Sequence, residues 1–408
     1  MSDSPRPLKH ARLPDLWGPD EVPHTPEAWS SHRRPQLLEL FRDHVYGRTP
    51  EGGGVANIRR ISRDAAALDG LAERTEWTVT LTGPLGTRHV SLLLYVPREA
   101  TASDPAPVFV GLNFNGNHSV SADAAIALSQ APMPEIAERG TDERRWPLSM
   151  ILERGYAIAT MHYCELEADL PGHASGGVRG LFHGEAELER PDSRSWGAIG
   201  AWAWGLSRIL DVLETMPTVD AAAAIAHGHS RLGKAALWAA AQDQRFAAVV
   251  SNESGCAGAS LFRHSAGETI AMITDAFPHW FAGGFRQFAT DVDQLPVDQH
   301  LLLAAIAPRP VHVASATLDF HADPRGEYLS TLHASPIFSL FGGSGTLLTQ
   351  LHVPGTDVLP CVVANLHEPA VGRRVGGRLS YHLRFGEHDV IADDWSHFLD
   401  FADENVLA

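Results

Sequence analysis

The chain has 408 residues, of which 44% are hydrophobic, and it carries a formal net charge of −17 at pH 7. This hydrophobic content supports a large buried core and excludes a disordered chain, and the length fits one large α/β domain or two ordinary ones. The acidic charge argues against nucleic acid or an anionic membrane surface as a partner. Three cysteines, Cys164, Cys256 and Cys361, are too few and odd in number to predict a disulfide framework.

The first 34 residues are rich in proline and predict an irregular arm on the surface of the protein. No apolar core of a signal peptide is visible near the start, and no apolar run is long enough to cross a membrane. We therefore expect a cytoplasmic protein from the sequence as it stands, or a secreted or periplasmic one if a leader precedes it.

The next segments alternate between helical and strand patterns. Residues 35–46 have apolar side chains at helical spacing. Residues 75–82 and 89–96 alternate in polarity around a Gly-Pro-Leu-Gly turn, which predicts a hairpin. Residues 108–112 predict a buried strand that ends in the polar loop 113–118. Ligands of open α/β sheets bind beyond such strand ends.

An irregular stretch follows at residues 119–146, which we expect to form a rim over the site, and residues 165–191 predict a second irregular segment. A strand is predicted for 156–161 and a helix for 195–216, whose three tryptophans are expected mainly in the core.

The most informative stretch runs from residue 223 to 256. An apolar run at 223–226 precedes the sequence GHSRLG, a helix-like run follows at 234–242, and a second apolar run occupies 246–250. This is the context of a nucleophile elbow, in which a serine sits on a strained turn above a parallel sheet. The usual G-x-S-x-G has its second glycine where this chain has Leu232.

The remaining chain continues the alternation, with an inserted Gly/Pro-rich segment at 342–375. Helices are predicted at 298–306, 331–340 and 392–405, and strands at 311–316 and 379–383. We therefore predict an α/β-hydrolase fold, a mostly parallel central sheet flanked by helices in a three-layer sandwich, as a single catalytic domain over residues 35–408.

A serine nucleophile needs a histidine base and an acid that orients the base, in the chain order Ser, acid, His for this fold. Ser230 lies in the elbow and His388 in a turn after the last strand. Two acids fit the order, Glu253 after the strand that follows the elbow helix and Asp319 after the strand 311–316. The alternatives are a surface histidine at 388, a capping carboxylate at 253 and a loop cap at 319.

Residues 228–234, with the sequence GHSRLGK, resemble the G-x-S-R-x-G signature of the glucuronoyl esterases, carbohydrate esterase family 15. The segments 109–118, 196–206, 277–281, 295–310 and 394–395 also resemble bacterial members of this family.

The resemblance implies roles for individual residues. Ser230 and His388 match the catalytic pair, and Glu253 and Asp319 match the two positions from which members supply the acid. We expect Glu253 to contribute more, because it lies in the stretch most similar to the family. Arg231 matches the arginine of the oxyanion site.

Three further positions match residues that bind the sugar. Lys234 and Glu268 match sugar contacts, and with Arg231 and the helix N-terminus Lys234 predicts a locally positive pocket. His321 occupies a position where members commonly have a tryptophan, which weakens the inference of sugar specificity.

The predicted function is a serine esterase that acts on esters of (4-O-methyl-)glucuronic acid, as in lignin–glucuronoxylan linkages, with a small-molecule or oligosaccharide substrate. The alternatives are another carboxylesterase or a carbohydrate deacetylase of the same fold, and a sugar-binding protein on a hydrolase scaffold that has lost catalysis. No cofactor is predicted, because no nucleotide-binding motif follows a strand. His227 and His229 lack further ligands at zinc spacing, so no metal is predicted either.

Overall fold

A ten-stranded sheet forms the centre of the structure, a computed structural model that describes residues 13–19, 23–131, 137–264, 266–342 and 369–407. The strands in chain order are β1 (Gly54–Ala66), β2 (Ala72–Gly83), β3 (Gly86–Pro97), β4 (Ala106–Asn113), β5 (Ala157–His162), β6 (Val219–His229), β7 (Ala248–Asn252), β8 (Val311–Ala316), β9 (Arg374–Gly376) and β10 (Leu379–Arg384).

The strand order across the sheet is β1-β2-β3-β5-β4-β6-β7-β8-β10-β9. The six strands from β5 to β10 in that order pair in parallel, and β1, β2, β3 and β9 add antiparallel edges. All carboxyl ends of the parallel strands therefore lie along one edge of the sheet.

Two hydrophobic clusters cover the two faces of the sheet. Successive side chains of a strand point to opposite faces, so Val108 and Val110 of β4 join the larger cluster while Phe109 joins the smaller one. The helices that cover the sheet supply the rest of each cluster, and the result is a three-layer sandwich.

The helices in chain order are α1 (Pro26–Ala28), α2 (Arg34–Phe41), α3 (Ala67–Gly70), α4 (Leu148–Glu153), α5 (Tyr163–Leu166), α6 (Glu185–Glu189), α7 (Ala198–Leu213), α8 (Arg231–Gln242), α9 (Ile270–Ala276), α10 (Gln299–Ile306), α11 (Pro324–Leu340) and α12 (Ala392–Asn405). Helices α2, α7, α8, α10 and α11 contribute side chains to the larger cluster, and α4 and α12 to the smaller. None of the helices in the described ranges is long and apolar enough to span a membrane.

The α/β-hydrolase prediction is confirmed, with differences at particular elements. The predicted arm over residues 1–34 is irregular only at residues 13–19 and 23–25 of its described part, because helical turns begin at Pro26. Helix α11 begins at Pro324 instead of residue 331. Residues 343–368 of the predicted insertion 342–375, with Cys361, lie outside the described residues.

Candidate active site

The predicted catalytic residues follow four parallel strands that are neighbours or near neighbours in the sheet. Ser230 follows β6, Glu253 follows β7, Asp319 lies three residues beyond β8, and His388 lies beyond β10. Because parallel strands share one carboxyl edge, residues 69 positions apart in the chain, Asp319 and His388, come into contact there.

Ser230 occupies a strained turn between β6 and α8. Its φ of 57° and ψ of −131° lie outside the regions that L-residues normally adopt. Gly228 makes the turn possible, because a Cβ at that position would lie 2.1 Å from the carbonyl oxygen of Leu232. The N–H of Arg231, in the first turn of α8, has no acceptor within the helix. That geometry is the nucleophile elbow of a serine hydrolase with one donor for an oxyanion.

His388 lies against both predicted acids. Its Nδ1 is 2.5 Å from Oδ2 of Asp319 and 3.2 Å from Oε2 of Glu253. The shorter contact belongs to Asp319, which reverses the order expected from the sequence. Glu253 is also committed elsewhere, since Oε1 accepts a hydrogen bond of 2.6 Å from Arg384 and Oε2 one of 2.9 Å from the N–H of Asp389.

The two acids change the protonation of His388 and of each other. Burial alone would lower the pKa of His388, but the hydrogen bonds to Asp319 and Glu253 raise it to about 9. Burial raises the pKa of Glu253 to about 7, against the opposing effects of His388 and Arg384. Asp319 is also buried, but its hydrogen bond from His388 holds the carboxyl pKa below the ordinary value. The three groups therefore titrate as a coupled set that favours an imidazolium between carboxylates.

Within the described ranges, Glu253, Asp319 and His388 also form the one cluster whose potential ligand atoms are close enough to hold a metal ion. These atoms all lie within 4.8 Å of one another. Both Glu253 oxygens already accept hydrogen bonds, one of them from the cationic Arg384. A neighbouring guanidinium disfavours a metal cation, so the arrangement fits a base with its orienting acids better than a metal centre.

Arg231 lies at the entrance of α8 and pairs with Asp169. Asp169 also accepts hydrogen bonds from Nε2 of His279 at 2.9 Å and from Nε1 of Trp280 at 2.6 Å. The guanidinium lies over the Trp280 ring, 4.8 Å from its centroid. Burial opposes ionisation of Asp169, but these donors bring its pKa to about 2. The carboxylate thus fixes the direction of the guanidinium and offsets its charge.

Lys234 is almost fully buried, one helical turn beyond Ser230. Its Nζ donates a 2.6 Å hydrogen bond to the carbonyl oxygen of Ser254 and lies 4.0 Å from Oε2 of Glu268. Oε1 of Glu268 in turn lies 3.1 Å from Nε2 of the exposed His321. The three residues predicted to bind sugar are therefore connected. Glu268 lies beside Lys234 and Asp169 beside Arg231, so a carboxylate offsets part of the charge of each cation in the predicted positive pocket.

Three other histidines near the site have packing or hydrogen-bonding roles. His227 packs on Trp395, with ring centroids 4.8 Å apart, and Nδ1 of His229 accepts a 2.9 Å hydrogen bond from the Asn252 amide. His382 is buried in β10 and contacts Asp394, at 3.0 Å.

Sequence reasoning assigned no role to Asp169, His279, Trp280 or Arg384. Segment 277–281 supplied one usable signal, because it resembles the family and contains His279 and Trp280. Asp169 lies in an irregular segment without a motif, and Arg384 directly follows the strand predicted at 379–383 and belongs to no motif.

Comparison with known proteins places this site in a family. The family model described as "Glucuronyl esterase, fungi" matches residues 113–342, more than half of the chain. Carbohydrate esterase MZ0003 of an unknown prokaryotic organism is 35% identical over 390 residues, which cover 93% of this chain and 85% of that relative.

Two solved structures are similar over almost their full length. A glucuronoyl esterase from Solibacter usitatus is 37% identical with a TM-score of 0.85, and the match covers 97% of each chain. A promiscuous CE15 esterase from a marine bacterial metagenome is 34% identical with a TM-score of 0.82, again over 97% of each chain. The chain belongs to the glucuronoyl esterase family, carbohydrate esterase family 15.

Proposed function

We propose that this protein is a serine esterase that hydrolyses esters of (4-O-methyl-)glucuronic acid through an acyl-enzyme. The observation that carries the proposal is the contact of His388 with two buried carboxylates, at the sheet edge where Ser230 occupies the strained elbow. Membership of the glucuronoyl esterase family supplies the substrate class.

In the first half of the reaction, the Ser230 hydroxyl attacks the uronoyl carbonyl while His388 takes its proton. The Arg231 backbone N–H and guanidinium stabilise the negative oxygen of the tetrahedral intermediate. Asp319 accepts the Nδ1–H of the imidazolium and stabilises its charge. When the intermediate collapses, the ester bond breaks and His388 returns the proton to the departing alcohol.

In the second half, a water molecule loses its proton to His388 and attacks the acyl-enzyme, which releases the glucuronate and regenerates Ser230. Lys234, Glu268 and His321 line a connected polar cluster beside α8, and we assign contacts with sugar hydroxyls to them. The long lysine is held by Ser254 and Glu268, so it offers a fixed donor.

A second candidate is a carboxylesterase of broader specificity, because one relative that is 34% identical is described as promiscuous. The exposed His321, in place of a family tryptophan, leaves the sugar side of the site without that aromatic ring.

The test is a hydrolysis panel of methyl glucuronate, benzyl glucuronate and p-nitrophenyl acetate. We expect kcat/KM to favour the uronate esters, and Ser230→Ala to lower kcat by at least about 10³-fold without unfolding. A fluorophosphonate should label the wild type and not Ser230→Ala. Preference for the acetate would support the second candidate, and unlabelled, inactive wild-type protein would exclude both esterase functions.

A further inference from the structure

Arg384, the last residue of β10, joins the two acids and the base of the active site from behind. Its side chain is buried, and its Nη2 lies 2.6 Å from Oε1 of Glu253 and 2.8 Å from the carbonyl oxygens of both Glu387 and Asp389. These two carbonyls flank His388 in the chain. One guanidinium nitrogen therefore contacts the second acid and both sides of the turn that carries the base.

The guanidinium is itself held on its other side. Its Nε donates a 2.8 Å hydrogen bond to Oδ2 of Asp394, in the first turn of α12. The same Oδ2 accepts the N–H of Ile391 at 3.0 Å, and Oδ1 lies 3.0 Å from Nε2 of His382. With both ends fixed, Arg384 cannot turn away from Glu253 without breaking a buried network.

The charge of Arg384 favours the ionised form of Glu253, together with the hydrogen bond to His388 and against the effect of burial. Glu253 is 1% exposed, and a buried carboxylate without a cation takes up a proton. Burial already raises its pKa to about 7 with Arg384 in contact. Removal of the guanidinium would raise this pKa further, and a neutral Glu253 would no longer stabilise the imidazolium of His388.

We propose that Arg384 is a positioning residue of the esterase, which keeps Glu253 ionised against His388 and fixes the turn that carries the base. The inference rests on the proposed function for its kinetic test. It assigns a task to the second acid, which is to add negative charge beside an imidazole whose N–H is already accepted by Asp319.

Several charged or titratable groups face this pair from neighbouring elements, and the pH dependence must be read with them. On the neighbouring strands they are Asp319 beyond β8 and His229 at the end of β6, whose ring lies 4.4 Å from that of His388. Behind Arg384 they are Asp394 and His382, and around the edge Arg145, Glu327 and Asp389.

The kinetic test compares the pH profiles of kcat/KM for the wild type, Arg384→Met and Arg384→Lys. The wild-type profile should rise with pH as His388 loses its proton. In Arg384→Met, Glu253 becomes neutral, so the rising limb should move to lower pH. We expect kcat to fall by about 10- to 100-fold, less than the roughly 10⁴-fold loss when the acid that orients a catalytic histidine is removed. Arg384→Lys keeps a cation and should keep the position of the limb.

A Glu253→Gln background separates this role from a merely structural one. In that background position 253 carries no carboxylate, so adding Arg384→Met should not shift the rising limb of the kcat/KM profile to lower pH. Because the variant only removes a cation near His388, the rising limb should stay where it is or shift to higher pH. The low-field Nδ1–H signal of His388 in proton NMR, titrated with pH, should follow the same pattern without any turnover. It therefore tests Arg384 even if the wild type hydrolyses no uronate ester, in which case only the proposed function fails.

Arg74→Met is the matched control. Arg74 lies in β2, is as buried as Arg384, and pairs with Glu76 of the same strand and with Asp123. It should lower Tm without moving the profile. Arg384→Met could fail to fold because it leaves a buried carboxylate at position 253 without its cation. In that case the double variant Glu253→Gln/Arg384→Met, which has no carboxylate at that position, is compared with Arg384→Lys. An unchanged profile in Arg384→Met, or the same shift in both backgrounds, would overturn the proposal.

Discussion

At the scale of the residue, the Nδ1–H of His388 faces two buried carboxylates, those of Asp319 and Glu253. Only one carboxylate oxygen can accept the Nδ1–H in a strong linear hydrogen bond, and Asp319 at 2.5 Å has the better position than Glu253 at 3.2 Å. Glu253 instead shares its oxygens with Arg384 and the N–H of Asp389. We infer that Asp319 orients the base and that Glu253 acts through its charge.

This division predicts unequal losses when each acid is replaced by its amide. Asp319→Asn should lower kcat by about 10²- to 10⁴-fold, because the imidazolium loses its acceptor. Glu253→Gln should cost about 10-fold. The double variant should lose less than the product of the single losses, since residues that act as a unit are not additive. Rates of uronate ester hydrolysis measure all three, and a larger loss in Glu253→Gln than in Asp319→Asn would reverse the assignment.

Asp169 sets the direction of Arg231 in a similar way. It is an acceptor shared by the guanidinium, His279 and Trp280, and Asp169→Asn would replace one carboxylate oxygen by a donor that faces these donors. We expect kcat to fall by about 10-fold with a smaller change in KM, because the oxyanion forms only in the transition state.

The control is Asp211→Asn, which removes a carboxylate that pairs with Arg208 and Arg245 near the surface and should leave kcat unchanged. Steady-state kinetics on one ester, with kcat and KM separated, compares the two variants. An effect of Asp169→Asn on KM alone would mean that Arg231 binds the ground state and not the oxyanion.

At the scale of the element, the elbow is a place where a strand and a helix approach too closely for side chains. Gly228 faces the backbone of α8, and Gly233 faces back, since a Cβ there would lie 3.0 Å from the carbonyl oxygen of Gly228. This mutual contact explains why the chain accepts Leu232 where the usual motif has glycine. The close approach in this chain is at Gly233, where a Cβ would be tightly packed.

Gly228→Ala should therefore destabilise the protein and abolish esterase activity, since its Cβ would collide with the Leu232 carbonyl of α8 and displace Ser230. Gly54→Ala is the control, because nothing lies within 4 Å of a Cβ at the start of β1. Thermal unfolding and ester hydrolysis test both variants. A Gly228→Ala protein with wild-type Tm and activity would show that the turn relaxes without cost.

The helices and strands that could be predicted from the sequence are those in which burial of one face gives a regular spacing of apolar residues. Strand β8 and helix α12 have the predicted bounds, because their apolar residues face the core. Strand β1 was missed, since it is an edge strand with mostly exposed or half-exposed residues and no apolar alternation. The contact of His388 with Asp319 and Glu253 could be predicted because chain order and strand ends are typical of this fold, whereas the contacts of Asp169 and Arg384 depend on tertiary packing between distant segments.

At the scale of the whole molecule, the strands and the helices that cover them bury many histidines. Burial lowers the pKa of His162, His227, His300 and His333 to about 4, and that of His229 and His312 well below the ordinary value. Burial raises the pKa of Glu253 to about 7 and that of Glu327 to about 8. Burial would lower the pKa of His388, but its hydrogen bonds to Asp319 and Glu253 raise it to about 9.

These shifts predict a stability maximum near pH 6.5 to 7. Between about pH 6.5 and 4 the unfolded chain binds protons at histidines that stay neutral in the fold, so stability falls as pH falls, by about 1.4 kcal/mol per pH unit for each histidine, partly offset by Glu253 and Glu327. Above pH 6.5 the fold holds protons on Glu253, Glu327 and His388 that the unfolded chain has released, so stability falls as pH rises. Denaturant unfolding from pH 4.5 to 9 measures both limbs. His227→Gln removes one of these histidines, so it should reduce the slope of the acid limb by about 1.4 kcal/mol per pH unit and leave the alkaline limb unchanged. A wild-type profile that is level below pH 6.5 would show that the buried histidines are already protonated in the fold.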